Sequence, residues 1–410
     1  MKPGKVTTIS AVFLCGMLVV HGFMLWQVRH VIARGYPDFT SFYMAGTMVR
    51  LGMGHDLYDL KAEWRVQQEF APWVSVRQAA LPYMHAPFEA LLFAPFTLLP
   101  YSRAFALWNG LNFLILLALP YLLRPHLPVL KQIPPWIMIF LQLAYFPVFF
   151  VLLQGQDAIL LLLLYCLAFS ALKKDATGTA GFWLALGLFR FHLVAPFVLV
   201  MLLLKKFRLV VAFTMTSVVL VGLSAWVVGW RGLLHYPGYI WWLEQHRSRA
   251  ILTPSDTTNL RGLVDTLLGK WFPAYVQLAA VILLSAGMLY FAMRCWRSAE
   301  PRSEQWNLAF SATLVATVLV SYHSFIYDLS TLLLPVAVSV SVLLRRRLLP
   351  TRFQWGLIIP VIALFCTPLY LFFWFRVGHP NLMANFLILW FLALLGTARL
   401  AAKQSVAATA

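Results

Sequence analysis

Residues 181–204 read GFWLALGLFRFHLVAPFVLVMLLL, an apolar run long enough to cross a bilayer but broken at its middle by Arg190-Phe191-His192. A hydrocarbon core of about 30 Å takes roughly 20 apolar residues per helix. A charged side chain at mid-depth is costly, so a break of this kind lines a hydrated cavity walled by protein. The run is therefore read as a re-entrant hairpin that enters and leaves on one side. That reading fixes the sidedness of every later segment.

Working outward, further apolar runs lie near 9–27, 104–123, 135–152, 158–172, 209–229, 274–293, 306–321, 329–344, 354–374 and 382–400. Read as ten crossings, they describe an all-α polytopic membrane protein. The first run follows Lys2 and Lys5 as a signal sequence would, yet it is too long and lacks a small-residue cleavage site, so a retained anchor is expected. Residues 86–100, APFEALLFAPFTLLP, carry Glu89 and three prolines and are short for a span. With that stretch kept outside and 181–204 re-entrant, the basic clusters Lys2/Lys5, Arg124/Lys131, Lys173/Lys174, Lys205/Lys206/Arg208, Arg294/Arg297/Arg302, Arg345/Arg346/Arg347/Arg352 and Arg399/Lys403 share one face. Most acidic residues fall on the other. The positive-inside rule makes the basic face, and the N-terminus with it, cytoplasmic.

The composition agrees. The 410 residues are 61% hydrophobic and 11% charged, with a net charge of +18, where a soluble domain has about 25% charged residues. A water-soluble enzyme, a disordered chain and a nucleic-acid binder are excluded. Cys15, Cys166, Cys295 and Cys366 lie in or beside apolar runs without a CxxC pair, so they are read as packing residues. No cofactor and no metal site is expected. One membrane domain is expected over 1–403, with outer segments at about 28–103 and 230–273 and a disordered tail at 404–410.

The polar residues that carry chemistry collect on the outer side. Asp38 stands just past the first span, before a stretch read as an amphipathic helix over 39–52, and either caps that helix or serves a site at the membrane surface. Asp56 and Asp59 read as turn or cap residues. Gln154-Gly155-Gln156-Asp157 joins two apolar helices, where capping alone would account for it. Arg190 and His192 suit an anionic ligand, since a guanidinium forks onto phosphate and a nearby imidazole adds a donor; the alternatives are snorkelling or an ion pair with Asp157 or Glu89. In the second outer segment Tyr236, Tyr239, Trp241 and Trp242 read as membrane-belt anchors or sugar-stacking rings, beside His246, Arg247, Arg249 and Arg261. His323 and Asp328 meet at the outer ends of two helices, a capping pair unless they serve a ligand. These features fit chemistry on an anionic, membrane-borne substrate, and equally a transporter of organic anions.

The order of the motifs resembles glycosyltransferase family 87, the DUF2029-type transferases of the GT-C class that include polyprenol-phosphate-mannose-dependent α-mannosyltransferases. The resemblance is carried by Pro37-Asp38-Phe39-x-x-Phe42-Tyr43-x-Ala45, Gly54-x-x-Leu57-Tyr58-Asp59, Ala86-Pro87-Phe88, Phe93-Ala94-Pro95-Phe96, Ala106-Leu107-Trp108, Gly155-Gln156, Asn259-Leu260-Arg261-Gly262 and His323-x4-Asp328-Leu329 with Leu333-Leu334-Pro335. Where the family often has Lys-Pro, this chain has Arg190-Phe191-His192. The resemblance implies a GT-C bundle of about 10–13 transmembrane or re-entrant helices. It also implies transfer of a sugar, mannose or another hexose or pentose, from a polyprenyl-phosphate carrier to a glycolipid or glycan acceptor. The reaction would occur on the extracytoplasmic face of the cell membrane, with inversion and without a metal. Asp38 is then the base, Arg190, His192, Arg261 and His323 bind the donor phosphate, and Tyr43, Gln156, Asn259 and Asp328 touch substrate. A lipid-linked-sugar flippase or organic-anion transporter, and a non-enzymatic partner of an envelope-polymer synthase, are the rival readings.

Overall fold

The computed structural model describes all residues except 1–2, 75–80, 246–252, 298, 302, 346–348 and 410. Of the residues discussed above, Lys2, His246, Arg247, Arg249, Arg302, Arg346 and Arg347 lie outside the described residues. The helices are α1 (Pro3–Ala33), α2 (Phe39–Arg50), α3 (Leu60–Phe70), α4 (Pro87–Phe93), α5 (Tyr101–Leu123), α6 (Pro135–Ala144), α7 (Phe146–Gln154), α8 (Ala158–Lys173), α9 (Thr177–Leu186), α10 (Phe191–Leu203), α11 (Phe207–Gln245), α12 (Leu260–Leu268), α13 (Ala274–Cys295), α14 (Glu304–Val320), α15 (Leu333–Arg345), α16 (Thr351–Phe365), α17 (Thr367–Leu371) and α18 (Met383–Thr409). No strand occurs among the described residues. The protein is an all-α polytopic membrane protein.

Seven helical segments of the described residues are long and apolar enough to cross a membrane, and two bent pairs raise that to nine. Thr177–Leu203 is among the seven, yet packing shows that it turns back. A straight helix would put Gly178 and Leu203 about 38 Å apart. A Cβ on Gly178 would lie 3.9 Å from Ala212 Cβ, and the nine residues from 203 to 212 can span at most about 31 Å. A Cβ on Gly187 would likewise sit 3.1 Å from Val194 Cγ2, which a straight helix forbids. The turn is made at Arg190, whose φ of −117° and ψ of 59° leave the helical region. The re-entrant hairpin read from Arg190-Phe191-His192 is thus present.

Both bent pairs break one or two residues before a proline. Tyr145 separates α6 from α7 at 72°, and Cys366 separates α16 from the α17 arm, which continues as a π-helix over Phe372–Val377, at 73°. Pro147 and Pro368 remove a donor and clash with the preceding turn, which ends the first helix in each case. The two short arms converge, with Phe150 and Trp374 ring centroids 5.7 Å apart.

Several local expectations are corrected. The helix after Asp38 exists, but Phe39–Met48 are all buried, so it is a core helix rather than a surface amphipathic one. Its polar groups are satisfied internally: Thr47 donates to Tyr43 O at 2.8 Å and Ser41 to Asp38 O at 2.8 Å. The belt residues divide. Trp241 is exposed, whereas Tyr236 and Tyr239 each pack 5.0 Å from the Tyr58 ring and cover the chain at Met84. Of the tail expected at 404–410, residues 404–409 lie within the bounds of α18 and residue 410 is outside the described residues.

Candidate active site

The site forms at the end of the bundle where the first outer segment, the 155–157 turn, the tip of the re-entrant hairpin and the 321–328 connection meet. Gly155 adopts φ 63°, a left-handed conformation that glycine takes without penalty. A Cβ there would lie 2.8 Å from both the Phe105 ring and Phe39 Cβ. Trp108 Nε1 donates to Gly155 O at 2.9 Å and holds the turn against α5. The side chains of Gln154 and Gln156 are thereby aimed at Asp38. Gly155→Ala combines a strained backbone with that overlap, so we expect about 2 kcal/mol or more of destabilisation, read as a lower thermal midpoint; an unchanged midpoint would contradict this account of the turn.

Asp38 precedes α2 but does not cap it with its side chain. Its N–H donates to Gln154 Oε1 at 3.1 Å, and its Oδ2 accepts from Gln156 Nε2 at 2.7 Å. Burial pushes the Asp38 carboxyl above the ordinary carboxylate range, while the Gln156 hydrogen bond and the Arg190 charge pull the other way. Gln156 Oε1 in turn accepts from Arg190 Nη2. That pairing fixes which way the Gln156 amide faces.

Arg190 has internal acid partners. Nε donates to Asp157 Oδ1 at 2.6 Å, Nη1 to Asp328 Oδ1 at 2.6 Å, and the guanidinium lies 4.9 Å from the Tyr327 ring centroid. The residue is 2% exposed. The ion pair with Asp157, the alternative to a phosphate contact in the sequence reading, is present, and Arg190 also lines a cavity. Asp328 also caps its own turn, accepting from Phe325 N at 2.8 Å.

His85, which no sequence pattern singled out, completes the cluster. Its Nδ1 lies 2.8 Å from Glu89 Oε2 and 3.7 Å from Asp157 Oδ2. Burial holds the ring neutral, lowering its pKa to about 4 despite the nearby Asp157. Donor atoms of His85, Glu89 and Asp157 all lie within 4.8 Å of one another, as the ligands of a metal ion would.

Two cavities meet here. One, of about 380 Å³, is lined by Asp38, Ser41, Gln154, Gln156, Asp256 and Trp374. The other, of about 80 Å³, is lined by Arg190, His192, Tyr322 and His323. Met84, His85, Phe325 and Tyr327 line both. The His192 and His323 rings stand 6.3 Å apart and perpendicular. Arg261 reaches the rim of the second cavity by stacking over Tyr322, 4.2 Å from its centroid, and Tyr322 packs 4.5 Å from His323. A larger cavity of about 450 Å³ lies deeper in the bundle, but apart from Gln142 it is lined by Cys166 and apolar side chains and holds none of these groups. Asp38, His85, Arg190, His192 and His323 line the smaller pair.

Tyr43 and Asn259, also expected at substrate, make bonds within the protein. Tyr43 is buried and donates to Leu99 O at 2.8 Å. Asn259 caps α12 by accepting from Gly262 N at 2.9 Å and donates to Ser321 O at 2.8 Å, tying α12 to the His323 connection.

Residues 83–321, more than half of the chain, match the family model described as glycosyltransferase family 87. The matched stretch includes His85, Glu89, Asp157, Arg190, His192 and Arg261 and stops short of Asp38, His323 and Asp328. No curated protein and no solved structure matches the chain.

Proposed function

The chain belongs to glycosyltransferase family 87, and on that footing we propose that this membrane glycosyltransferase moves a sugar from a polyprenyl-phosphate carrier to an acceptor hydroxyl on the extracytoplasmic face of the cell membrane, with inversion. The observation that carries the reading is the Asp38 carboxylate. It is relieved of capping, held by Gln156, and faces a cavity that shares a wall with the His192/His323 cavity. The acceptor occupies the Asp38 side and the donor phosphate the histidine side. In this reading residues 1–403 act as one GT-C-like domain, and the lysine- and arginine-bearing ends favour a cytoplasmic N-terminus.

Asp38 takes the acceptor hydroxyl proton as the oxygen attacks the anomeric carbon, and the bond from that carbon to the phosphate oxygen breaks with its electron pair leaving on phosphate. The transition state is oxocarbenium-like. Donors aimed at the growing phosphate charge lower the barrier, and His192, His323 and Arg261 are assigned that role. Arg190, with its donors engaged, positions Gln156 and offsets the acids. Attack opposite the leaving group inverts the anomeric centre.

The elevated Asp38 pKa strengthens the base at the cost of an acid limb. Activity falls as pH drops through a midpoint above about 4, the ordinary value for an aspartate. The Gln156 hydrogen bond lowers that midpoint, so Gln156→Leu moves the limb to higher pH in a pH–rate profile. A limb that stays put or moves down would remove Gln156 from this role.

The reading is tested by incubating the purified protein in lipid nanodiscs with a panel of labelled polyprenyl-phosphate sugars and crude envelope lipids. A labelled glycoconjugate with inverted anomeric configuration and stoichiometric polyprenyl phosphate is expected. Movement of intact carrier across vesicle membranes, with no product, would instead identify a flippase.

A further inference from the structure

We propose that His85, Glu89 and Asp157 bind one divalent cation of the Mn²⁺ class, in the wall between the two cavities. Three observations lead there.

The first is geometry. The donor atoms lie within 4.8 Å of one another, with His85 Nδ1 2.8 Å from Glu89 Oε2 and 3.7 Å from Asp157 Oδ2. An ion about 2.0–2.2 Å from each ligand holds adjacent ligands roughly 3–3.6 Å apart, and the 2.8 and 3.7 Å separations from His85 Nδ1 bracket that spacing. The second is hydrogen-bond accounting. Glu89 Oε1 and Asp157 Oδ2 are buried and find no donor among the described residues, with the Asp157 and Glu89 side chains 0% and 1% exposed, and His85 Nδ1 has Glu89 Oε2 as its near neighbour. Buried carboxylate oxygens without partners are costly. The other oxygen of Asp157 is taken by Arg190 at 2.6 Å, which leaves Oδ2 turned toward His85.

The third is charge. Asp157 and Asp328 pair with one guanidinium, that of Arg190, while Asp38 reaches it through Gln156 and Glu89 stands beside His85 and Asp157. Four carboxyl groups against one fixed cation leave an excess that either protons or a metal ion must balance. An imidazole nitrogen with two carboxylate oxygens mixes a borderline donor with hard ones, a set that Mn²⁺ accepts and that all-oxygen binders such as Ca²⁺ favour less. His85 lines both cavities, whereas Glu89 and Asp157 line neither, so an ion held here would reach the cavities on its His85 side. The site departs from the expectation that none of these residues holds a metal. It does not rest on the sugar-transfer reading, because binding is measured without any substrate.

The full-length protein in nanodiscs is freed of metal with a chelator and titrated with Mn²⁺ alone, the free ion being followed by its electron paramagnetic resonance signal. One Mn²⁺ per chain is expected, with affinity reduced at least about tenfold by Glu89→Gln and by His85→Ala and unchanged in Asp38→Asn. Glu89→Gln preserves side-chain volume, and its thermal midpoint reports that it folds. Absence of saturable binding by the wild-type protein up to millimolar Mn²⁺ overturns the proposal and leaves a proton shared between Glu89 and Asp157. Wild-type affinity in Glu89→Gln overturns it as well.

Discussion

Asp38→Asn lowers turnover by about 10² or more, the usual worth of a positioned base, while the protein folds and binds donor as the wild type does. Asparagine keeps an oxygen where Asp38 Oδ2 accepts from Gln156, so the local network survives. The sign of the stability change follows from the raised pKa of Asp38. A group whose folded pKa lies above its unfolded value stabilises the fold below the unfolded pKa and loses that contribution as pH rises through the folded one. At neutral pH the ionised carboxylate is thus a liability, and neutral asparagine leaves the thermal midpoint equal or slightly higher. Asp38→Glu keeps the charge but displaces it by one methylene, and misplacement on the ångström scale already costs rate. Near-wild-type turnover in Asp38→Asn would remove this residue from the mechanism.

Arg190→Met has the largest effect on stability. It leaves Asp157 and Asp328, both fully buried, without their guanidinium partner, and breaking a buried ion pair from one side costs about 3–5 kcal/mol. The thermal midpoint falls by many degrees, and turnover falls with it because Gln156 loses the donor that orients its amide. Adding Asp157→Asn and Asp328→Asn removes the stranded charges and restores much of the stability without restoring turnover. A direct phosphate contact predicts otherwise: an intact fold, a raised KM for the lipid donor, and no rescue by the acid substitutions. The thermal midpoint of Arg190→Met therefore separates the two roles.

The apolar runs made the spans legible, since a run of hydrophobic residues has few other places to go. The hairpin was legible from a single interruption, because a charge at mid-depth needs protein around it. Asp38 was visible as a candidate, although only the structure shows that its side chain leaves the cap position free. The partners of Arg190 were less so. Asp157 and Asp328 lie 33 and 138 residues away, and sequence proximity says nothing about pairs brought together by helix packing. His85 carries no local signal, as one histidine before a proline-rich turn resembles many others; its meaning comes from Glu89 one turn on and Asp157 across the bundle. The burial of Phe39–Met48 is not legible in the sequence for a related reason. Thr40, Ser41 and Thr47 look like a polar face, yet each hydroxyl bonds to a nearby carbonyl and so needs no water.

The most direct test of the account is a structure of the protein with a non-transferable polyprenyl-phosphonate sugar bound. The account predicts the phosphonate against His192 and His323, with the sugar reaching past His85 and Tyr327 so that its anomeric carbon faces the Asp38 cavity. A phosphonate seated elsewhere, or a sugar directed away from Asp38, would contradict it.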